Sequence, residues 1–522
     1  MTSHYRSALP FFLLIASSAF AQIEFGGRAI GLTHPDRLQP PPLITLPAVD
    51  VAALIAEDEA RSATGVKGPW RFGFNHEVDL GLDQGIWQTL DNGDRLWRMA
   101  IESPGAYSIN FEFHDYIVPQ GAQVFVYNED GDQLGAFTQE SSGGQHSMGV
   151  TQIAGDRITI EYFEPAEIAG EGSLRIGQVT HAYRDVLGKM RGLGDSGSCN
   201  NNVICPVGDP WRDQIRSVAM ITVGGSGICT GTLLNNCDND GTPYFLTADH
   251  CLPPGNNVSN WVFRFNWESP VCAQNQNGPT TQTVSGASLK VNNGATDVAL
   301  LELNSAPPAS YDVFFSGWNR SSTPATSATA IHHPSGDIKK ISFENQPVTP
   351  YSLGGPNNFW RVAAWDDGTT EPGSSGSGLW DQNGLLVGQL YGGEASCGYN
   401  FNDWYGRFDI SYPHLEQWLG DCGTQLQGHP ISIGVEEISD RADISIFPNP
   451  AVSSITIEFP NAFTEDLVIL IHDPIGRTVR SGTVRGGSKN AVIVVDGLNV
   501  GLYLLEIRGK DLHAFERVMI ER

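Results

Sequence analysis

Short runs of alternating apolar and polar residues, separated by Gly, Pro, Asn and Asp, cover most of this chain. Because successive side chains of a strand point to opposite faces, this alternation predicts half-buried β-strands rather than helices. Between residues 66 and 188 such runs are "YSINFEF", "AQVFVYNEDGDQLGAF" and "RITIEYFEP", the second forming a hairpin over Glu-Asp-Gly-Asp. We therefore predict a β-rich domain, a sandwich, over about residues 66–188.

Two further β-rich regions follow. Residues 194–428 contain the strand-like runs "IRSVAMITV", "YFLTA", "WVFRFNW", "VALLEL" and "LLVGQLYGG", and one helical run, "YPHLEQWL". After a linker at residues 429–442, residues 443–522 contain "SSITIEFP", "LVILIHD", "NAVIVVDGL" and "GLYLLEIRG". Residues 22–65 include the Pro-rich "LQPPPLITLP", so we expect an irregular lead-in there. The predicted fold class is mostly β.

The net charge and the N-terminal segment indicate which class of protein is excluded and that the protein is exported. The chain has 522 residues and a net charge of −27 at pH 7, which argues against nucleic-acid binding because phosphate contacts need excess Lys and Arg. The segment "MTSHYRSALPFFLLIASSAFAQ" combines a basic residue, an apolar run and a small-x-small site. This pattern predicts a secretory signal peptide at residues 1–21, and the run is too short for a membrane helix.

The eight cysteines all lie between Cys199 and Cys422. In an exported protein such a set predicts disulfide bonds, although the sequence alone does not choose the pairing. Zinc binding is the alternative, but no Cys-x-x-Cys pair occurs, so we expect neither a metal nor another cofactor. His332 and His333 in "IHHP" are adjacent and point to opposite faces of a strand, so we interpret them as structural.

The segment "TEPGSSGSGLW" at residues 370–380 raises the question of a nucleophile, although most Ser/Gly runs are turns or linkers. His250 ends the apolar run "YFLTADHC" beside a cysteine, where a general base would be held rigidly. Asp297 precedes the buried run "VALLEL" and would orient the imidazole. Ser375 would be the nucleophile, with the N–H groups of Gly373 and Ser375 forming an oxyanion hole.

The order His250, Asp297, Ser375 along the chain is that of chymotrypsin and differs from the orders of subtilisin and the α/β-hydrolases. Each residue alone is more often structural: a packed histidine, a capping aspartate, a serine in a loop. Found together in an exported, cysteine-rich region of short strands, the three residues predict a serine protease.

Several motifs resemble one protease family. "TADHC" resembles the histidine motif of chymotrypsin-fold proteases, and "TEPGSSGSGLW", "GQLYGGEASC", "AIHHP" and "DWYGR" resemble the bacterial lysyl endopeptidases over nearly all of residues 194–420. The upstream segment "GAYSINFEFHDYIVPQGAQVFVY" resembles that family's pro-region. The resemblance implies a two-barrel serine endopeptidase at residues 194–428, acting on proteins or peptides and made as a precursor with a pro-region at residues 22–193.

The resemblance also implies three disulfide bonds, which are Cys199–Cys397, Cys205–Cys272 and Cys229–Cys251. Cys237 and Cys422 remain, and we predict a fourth bond between them. Free thiols or a bond between molecules are the alternatives, and both are less common in secreted proteins. We accordingly expect a monomer.

Activation departs from the usual trypsin-like pattern. Most trypsin-like enzymes carry Asp directly before the nucleophile, where it pairs with the new N-terminal amine. Here that residue is Ser374, so the charge switch is missing. We hypothesise that residues 22–193 act as a folding aid and a plug. Cleavage near Lys189–Gly194, in "GKMRGLGDSGSC", would then release a site that is already formed.

Specificity departs as well. Thr369 stands where trypsins have the pocket Asp, and it cannot neutralise a cation. The resemblance instead assigns Asp403, in "DWYGR", as the anchor of the substrate cation, which implies cleavage after Lys, with Arg as an open alternative. Tyr391 stands in "QLYGG", where the family has a His stacked on an aromatic ring, and Tyr351 is a candidate partner. An ion pair of Asp403 with Arg407 would leave the preference open.

Residues 443–522, with "ISIFPNPAVSSITIEF" and "GLNVGLYLLEIRG", resemble the C-terminal sorting domain of the type IX secretion system. This implies that the secretion machinery is a partner and that the protein is secreted or held at the cell surface. An ordinary β-sandwich binding module is the alternative for this region. For the whole chain, the alternatives are a non-catalytic surface adhesin on a protease scaffold, or a serine protease with another residue preference.

Overall fold

The chain divides into two compact units, Met1–Ile431 and Ser432–Arg522, and each is described by itself. The computed structural model describes residues 27–64, 67–188, 196–255, 257–272, 276–430, 445–459, 467–472, 478–498, 501–509 and 513–520. The predicted signal peptide and the seam at Lys189–Gly194 lie outside these residues, as does most of the predicted linker. Among the helices within these ranges, none has the length and apolarity needed to cross a membrane.

The N-terminal part of the first unit is a two-sheet β-sandwich. Its elements are α1 Ile30–Thr33, β1 Leu43–Thr45, α2 Val51–Ala63, β2 Trp70–Arg71, β3 Gly73–Gly81, β4 Ile86–Thr89, β5 Arg95–Glu102, β6 Ser108–Ile117, β7 Gln123–Asn128, β8 Gln133–Phe137, β9 Met148–Ala154, β10 Arg157–Glu164 and β11 Ser173–Ala182. One sheet has the order β1–β5–β10–β7–β8, with β4 paired to β5, and the other β3–β11–β6–β9. Ile101 of β5 and Phe111 of β6 belong to their common core.

The expectation of an irregular lead-in at residues 22–65 is wrong. This segment contains α2 and β1, and β1 pairs with β5 in parallel. The helix begins where the Asp50 carboxylate accepts a hydrogen bond from the Ala53 N–H at 3.1 Å, which satisfies a donor that has no partner within the helix. Leu54 is buried on its inner face. The N-cap Asp50 and the apolar stripe of α2 are visible in the sequence. The prolines at residues 40–42 and 47 precede the helix and do not interrupt it.

The second part of the first unit carries nineteen further strands and two helices, by name α3 Arg212–Ser217, α4 Phe408–Leu419, β12 Asn201–Asn202, β13 Val218–Val223, β14 Gly227–Leu234, β15 Tyr244–Ala248, β16 Val262–Phe265, β17 Thr283–Ser285, β18 Ala287–Asn293, β19 Val298–Leu303, β20 Phe314–Phe315, β21 Trp318–Asn319, β22 Ala328–His332, β23 Lys340–Glu344, β24 Thr349–Tyr351, β25 Phe359–Ala364, β26 Gly378–Asp381, β27 Leu386–Gly393, β28 Phe401–Arg407, β29 Gln425–Leu426 and β30 His429–Pro430. The predicted strands "YFLTA" and "VALLEL" are β15 and β19. The start of "IRSVAMITV" is helical instead, and the predicted C-terminal helix begins earlier, at Phe408.

These strands form the two barrels of a chymotrypsin-like fold. The first sheet has the order β17–β16–β13–β14–β15–β19–β18, and the second β12–β23–β22–β26–β27–β28–β25–β24. Leu246 of β15, Trp318 of β21 and Tyr412 of α4 belong to one core shared by both sheets and the helix. This shared core fixes the two sheets against each other, so the loops at their junction hold defined positions.

Four disulfide bonds staple this part, and no cysteine is free in the described residues. They are Cys199–Cys397, Cys205–Cys272, Cys229–Cys251 and Cys237–Cys422. The first three are the pairs that the family resemblance implies. The fourth ties the turn after β14 to the chain that follows α4.

The second unit is a small β-sandwich. Its strands are β31 Ser445–Phe447, β32 Ser454–Glu458, β33 Leu467–His472, β34 Thr478–Val484, β35 Asn490–Val494, β36 Gly501–Arg508 and β37 His513–Ile520. They form one sheet of order β31–β32–β35 and one of order β34–β33–β36–β37. Alternate residues such as Ile455, Ile457, Ile469 and Ile471 fill the core between the two sheets, as the alternating pattern predicts.

Because Leu246 is fully buried in the core between the barrels, we expect Leu246→Ala to lower the free energy of unfolding of the first unit by about 3 kcal/mol. The measurement is urea unfolding followed by tryptophan fluorescence, in a Ser375→Ala background that prevents self-digestion. Leu43→Ala is the matched control, since Leu43 is 42% exposed and its loss should cost less than about 0.5 kcal/mol. Equal effects of the two changes would contradict the assignment of this core.

Candidate active site

His250 lies at the end of β15, within the single helical turn Asp249–Cys251. The strand before it is buried over its whole length, and the Cys229–Cys251 disulfide joins the next residue to β14. The imidazole is therefore held by a buried strand on one side and a covalent link on the other. This is the rigidity that a general base requires.

Asp297 precedes β19 and holds His250 through two hydrogen bonds. Its Oδ1 accepts from the His250 backbone N–H at 2.9 Å, and its Oδ2 accepts from Nδ1 at 2.7 Å. Burial raises the pKa of Asp297, and the hydrogen bonds from His250 act in the opposite direction. A proton on Nδ1 leaves Nε2 as the basic nitrogen. That atom is buried and makes no hydrogen bond to any described residue.

The backbone of Asp297 has a φ of +56°, in the left-handed region that non-glycine residues seldom adopt. Its carbonyl accepts hydrogen bonds from the Asp249 N–H at 3.0 Å and from Gln389 Nε2 at 3.2 Å. These contacts hold the residue in its strained conformation. Strain that the surroundings maintain in this way is typical of a functional position.

Ser375 lies in a tight turn between Gly373, with a φ of +97°, and Gly376, with a φ of +83°. A Cβ on Gly376 would lie 2.5 Å from the Thr230 carbonyl oxygen, so only glycine permits this approach to β14. The Thr230 N–H donates to the Ser375 carbonyl at 2.8 Å, and its hydroxyl donates to the Gly373 carbonyl at 2.9 Å. These contacts bring the serine loop against the strands that hold His250.

The turn leaves donors free at the serine. The backbone N–H groups of Gly373 and Ser375 donate no hydrogen bond to any residue that the structure describes. Two such donors on one turn can bind an oxyanion. Ser375 Oγ and His250 Nε2 are likewise not hydrogen-bonded to each other in the described chain, and such bonds often tighten only when substrate binds.

Ser374 belongs to a fully buried, neutral hydrogen-bond network. The Ser342 hydroxyl donates to the Thr369 carbonyl at 2.7 Å, so it accepts from His332 Nε2 at 3.2 Å. His332 Nδ1 then accepts from the Ser374 hydroxyl at 2.8 Å. Burial and the charge of Lys340 lower the pKa of His332 to about 3, which keeps its imidazole neutral. The position before Ser375 therefore needs no charged partner.

Asp403 lies on β28 and is 1% exposed. Its Oδ2 accepts hydrogen bonds from Trp365 Nε1 at 2.7 Å and from the Thr370 hydroxyl at 2.6 Å. Its Oδ1 is buried and has no hydrogen-bond partner of normal length among the described residues. The Ala395 backbone N–H is close enough to the carboxyl group to lower its pKa. Burial raises the pKa of Asp403, while Thr370 and Trp365 lower it.

Two glycines of β27 make room beside this carboxylate. A Cβ on Gly393 would lie 1.9 Å from Asp403 Oδ1, and a Cβ on Gly392 would lie 2.8 Å from Lys67 Nζ. Any larger residue at either position would clash with these atoms. Asp403 Oδ1 therefore packs directly against Gly393, and Lys67 Nζ lies beside the neighbouring Gly392.

Arg407 does not pair with Asp403. Its guanidinium donates to both oxygens of Asp409, at 3.0 and 2.6 Å, and stacks over Trp360 at 4.0 Å. The alternative in which Arg407 forms an ion pair with Asp403 is therefore wrong.

Thr369 stands at the position where trypsins have the pocket Asp. It is buried, and the nearest acceptor of its hydroxyl is the Thr370 carbonyl at 3.5 Å.

Tyr391 lies between the pocket and the base. Its ring contacts Phe359 edge-on, with centroids 5.4 Å apart, and contacts His250 with centroids 5.9 Å apart. The suggested partner Tyr351 packs on Trp404 instead, at 5.5 Å. Phe359 was missed because nothing in the sequence connects it to the "QLYGG" motif, whereas their strands β25 and β27 both pair with β28.

Hydrogen bonds and packing account for His333 and the adjacent His332. The His333 ring stacks on Trp267 with centroids 5.8 Å apart, and its Nδ1 donates to the Asp337 carbonyl at 2.9 Å. Over the described ranges, no three His, Cys, Asp or Glu side chains cluster in a way that could hold a metal ion.

Comparison with known proteins gives the family. Residues 193–406 match the family model "Lysyl endopeptidase, C-terminal domain", and residues 445–521 match "Secretion system C-terminal sorting domain". The chain is 30% identical over 376 residues to the lysyl endopeptidase of Pseudomonas aeruginosa, which covers 66% of this chain and 79% of that protein.

Similar solved structures include that of a Glu endopeptidase, which is 18% identical to this chain. The match covers 43% of this chain and 97% of the endopeptidase, with a TM-score of 0.29. A mutant of human heparin binding protein is 19% identical and covers 41% and 95%, with a TM-score of 0.31. From the family model and the curated relative, the chain belongs to the lysyl endopeptidase family and is a secreted serine protease with a type IX sorting domain.

Proposed function

We propose that this protein is an endopeptidase that hydrolyses peptide bonds after lysine. The observation that carries the proposal is Asp403, a buried carboxylate that packs against Gly393 and has one oxygen without a hydrogen-bond partner among the described residues. A buried carboxylate without a cation is costly, so a cationic substrate side chain gains strongly by reaching it. The proposal is also supported by the similarity of the chain to the lysyl endopeptidase of Pseudomonas aeruginosa.

In the proposed mechanism Ser375 Oγ attacks the carbonyl carbon of the substrate lysine, and its proton passes to His250 Nε2. Asp297 stabilises the imidazolium that forms. The Gly373 and Ser375 N–H groups bind the oxyanion, and His250 then protonates the leaving amine. Water, activated by the same imidazole, hydrolyses the acyl-enzyme.

The pocket favours lysine over arginine. Asp403 Oδ2 already accepts two hydrogen bonds, which leaves mainly Oδ1 for the substrate. A guanidinium gains most from two carboxylate oxygens in one plane, whereas an ammonium is a compact charge that one oxygen can serve. Tyr391 and Phe359, in edge contact beside the pocket, supply apolar surface for the lysine stem.

For the precursor, we propose a signal peptide at residues 1–21 and a pro-region at residues 22–193, released by cleavage near Lys189–Gly194. The protease would then be residues 194–428, joined by the linker 429–442 to a sorting domain at residues 443–522, and would act as a monomer. The neutral network around Ser374 supports a site that forms without a new N-terminal amine.

The first test is a digest of a denatured protein mixture, with every cut mapped by mass spectrometry. We expect the mature enzyme to cut after lysine, with few cuts after arginine. Ser375→Ala should lower the rate on the order of 10⁶-fold, because the nucleophile is removed. Cuts mainly after small or apolar residues would contradict the assignment of Asp403 and leave the triad standing.

Asp403→Asn keeps the shape of the side chain and removes its charge. We expect kcat/KM for a lysyl peptide to fall on the order of 100-fold, corresponding to about 3 kcal/mol for a lost buried charge partner. A matched peptide with norleucine in place of lysine should lose much less. Asp238→Asn, at an exposed carboxylate, is the control and should change neither value. Equal losses for both peptides would exclude a pocket role for Asp403.

Acidification should reduce the preference for lysine. Because burial raises the pKa of Asp403 above its ordinary value of 3.8, its carboxylate becomes neutral at a higher pH than an exposed aspartate. The ratio of kcat/KM for the lysyl and norleucyl peptides cancels every pH effect that acts equally on both peptides. We expect this ratio to fall as the pH drops through that raised pKa and to be flat in Asp403→Asn. A wild-type ratio that stays constant down to pH about 4 would contradict this assignment.

A further inference from the structure

Lys67, in the proposed pro-region, lies at the specificity pocket of its own chain. Its Nζ is 5.3 Å from the centroid of the Tyr391 ring and would be 2.8 Å from a Cβ on Gly392. Burial lowers the pKa of the Lys67 ammonium, and the charges of Asp403 and Asp297 raise it. No carboxylate in the described chain lies within 4.0 Å of Nζ, so the ammonium is at the pocket rim rather than against Asp403.

The chain that follows Lys67 runs along the edge of the first barrel. Trp70 pairs with Ile228 and Arg71 with Gly227, so β2 extends the sheet antiparallel to β14. Pro69 packs against the same strand, 2.6 Å from where a Cβ on Gly227 would lie. Addition of an extended peptide to a sheet edge, with one side chain in a pocket, is a common form of substrate binding.

The nucleophile lies between these two contacts. The Ser375 carbonyl accepts from the N–H of Thr230, which is two residues beyond Ile228 on β14. The Gly376 N–H donates to the Leu390 carbonyl of β27 at 2.8 Å, so the turn that carries Ser375 touches both β14 and β27. The chain from Lys67, beside β27, to Trp70, on β14, leads from one of these strands to the other, in the direction of a substrate with lysine before the cut bond.

The segment is anchored on both sides. Asp58 of α2, upstream of Lys67, pairs with Arg71 at 2.7 Å and with Arg184 at 2.9 Å, and accepts from the Tyr183 hydroxyl at 2.7 Å. Arg71 itself lies on β2, downstream of Lys67. This cluster joins the helix before the lysine to the strand after it, so Lys67 lies between two elements that are fixed to each other.

Lysine is rare in the proposed pro-region, so the position of Lys67 is unusual. Residues 1–193 contain only two lysines, Lys67 and Lys189, and Lys189 is in the predicted release seam. An enzyme that cuts after lysine therefore finds one target in the described part of its pro-region, residues 27–64 and 67–188. That target is the side chain that reaches its own pocket.

We propose that the Lys67–Gly68 bond is a self-cleavage site, and that residues 67–71 occupy the cleft of the precursor as its first substrate. This inference rests on the proposed lysine specificity and adds a site to it. Until the bond is cut and the segment leaves, other substrates are excluded from the cleft.

The reaction needs only water as co-reactant. Ser375 Oγ bonds to the Lys67 carbonyl carbon as its proton moves to His250 Nε2. That proton passes to the Gly68 nitrogen as the Lys67–Gly68 bond breaks. Water then adds its oxygen to the Lys67 carbonyl carbon and gives one proton to His250 Nε2. The ester bond to Ser375 Oγ breaks, and Oγ takes that proton from His250. The products are a Lys67 carboxylate and a Gly68 amine. Because α2 and β2 share the Asp58 cluster, we expect both new ends to stay bound.

The test follows new N-termini in the full precursor, made in an oxidising cell-free system at two concentrations. Samples are quenched in acid, denatured, labelled at α-amines, and digested with a Glu-specific protease for mass spectrometry. Four chains are compared: wild type, Ser375→Ala, Lys67→Gln, and the control Lys489→Gln, which changes an exposed lysine of the second unit. A denatured lysine-containing protein, added to a separate wild-type sample, reports lysine cleavage in general.

We expect a Gly68 N-terminus in wild type and in Lys489→Gln, appearing at the same first-order rate at both concentrations. It should be absent from Ser375→Ala and from Lys67→Gln. If wild type cuts the added protein after lysine but gives no Gly68 terminus, or gives it only at a concentration-dependent rate, the self-cleavage site is refuted and the proposed function stands. If the precursor cuts nothing after lysine while the mature enzyme cuts a denatured protein after lysine, the self-cleavage site is refuted and the proposed function stands. If the mature enzyme also cuts nothing after lysine, the proposed function itself fails.

Discussion

The arrangement of this site depends on a buried carboxylate for which the described part of the protease region supplies hydrogen bonds but no cation. Asp403 Oδ2 is held by Trp365 and Thr370, and the cation nearest to it along its strand, Arg407, is already paired with Asp409. Burying a charge without a counter-charge costs several kcal/mol, and a ligand that brings the counter-charge recovers that energy. In the proposed function, selectivity for a cationic side chain follows from leaving the carboxylate unpaired until a substrate arrives.

The local structure around the proposed catalytic residues was predictable because each lies in a short motif that encodes its own surroundings. "TADHC" contains both the proposed base His250 and the cysteine that anchors it, and the glycines around Ser375 encode the turn with two positive φ values. Asp297 was found from its place before a buried strand. Its positive φ was not foreseen, because that conformation is imposed by contacts with Asp249 and Gln389.

Contacts between distant segments could not be found in this way. Tyr391 meets Phe359 because two strands flank β28, and α2 is fixed by an ion pair between Asp58 and Arg184, which are 126 residues apart. Lys67 carries no local signal at all. The sequence offers only the scarcity of lysine before residue 189, and this pattern gains meaning under the proposal that Asp403 binds a lysine side chain.

The neutral network beside the nucleophile has a consequence for control of the enzyme. Ser374, His332 and Ser342 satisfy one another without a charge, so no new N-terminal amine is needed to complete the turn that carries Ser375. An enzyme whose site is complete at folding cannot be silenced by leaving that site unformed. Its activity has to be blocked by a segment that occupies the cleft. Under the proposed lysine specificity, that segment has to bring a cation to the pocket. A lysine from the same chain meets both conditions, which connects the absent charge at Ser374 to the presence of Lys67 at the pocket rim.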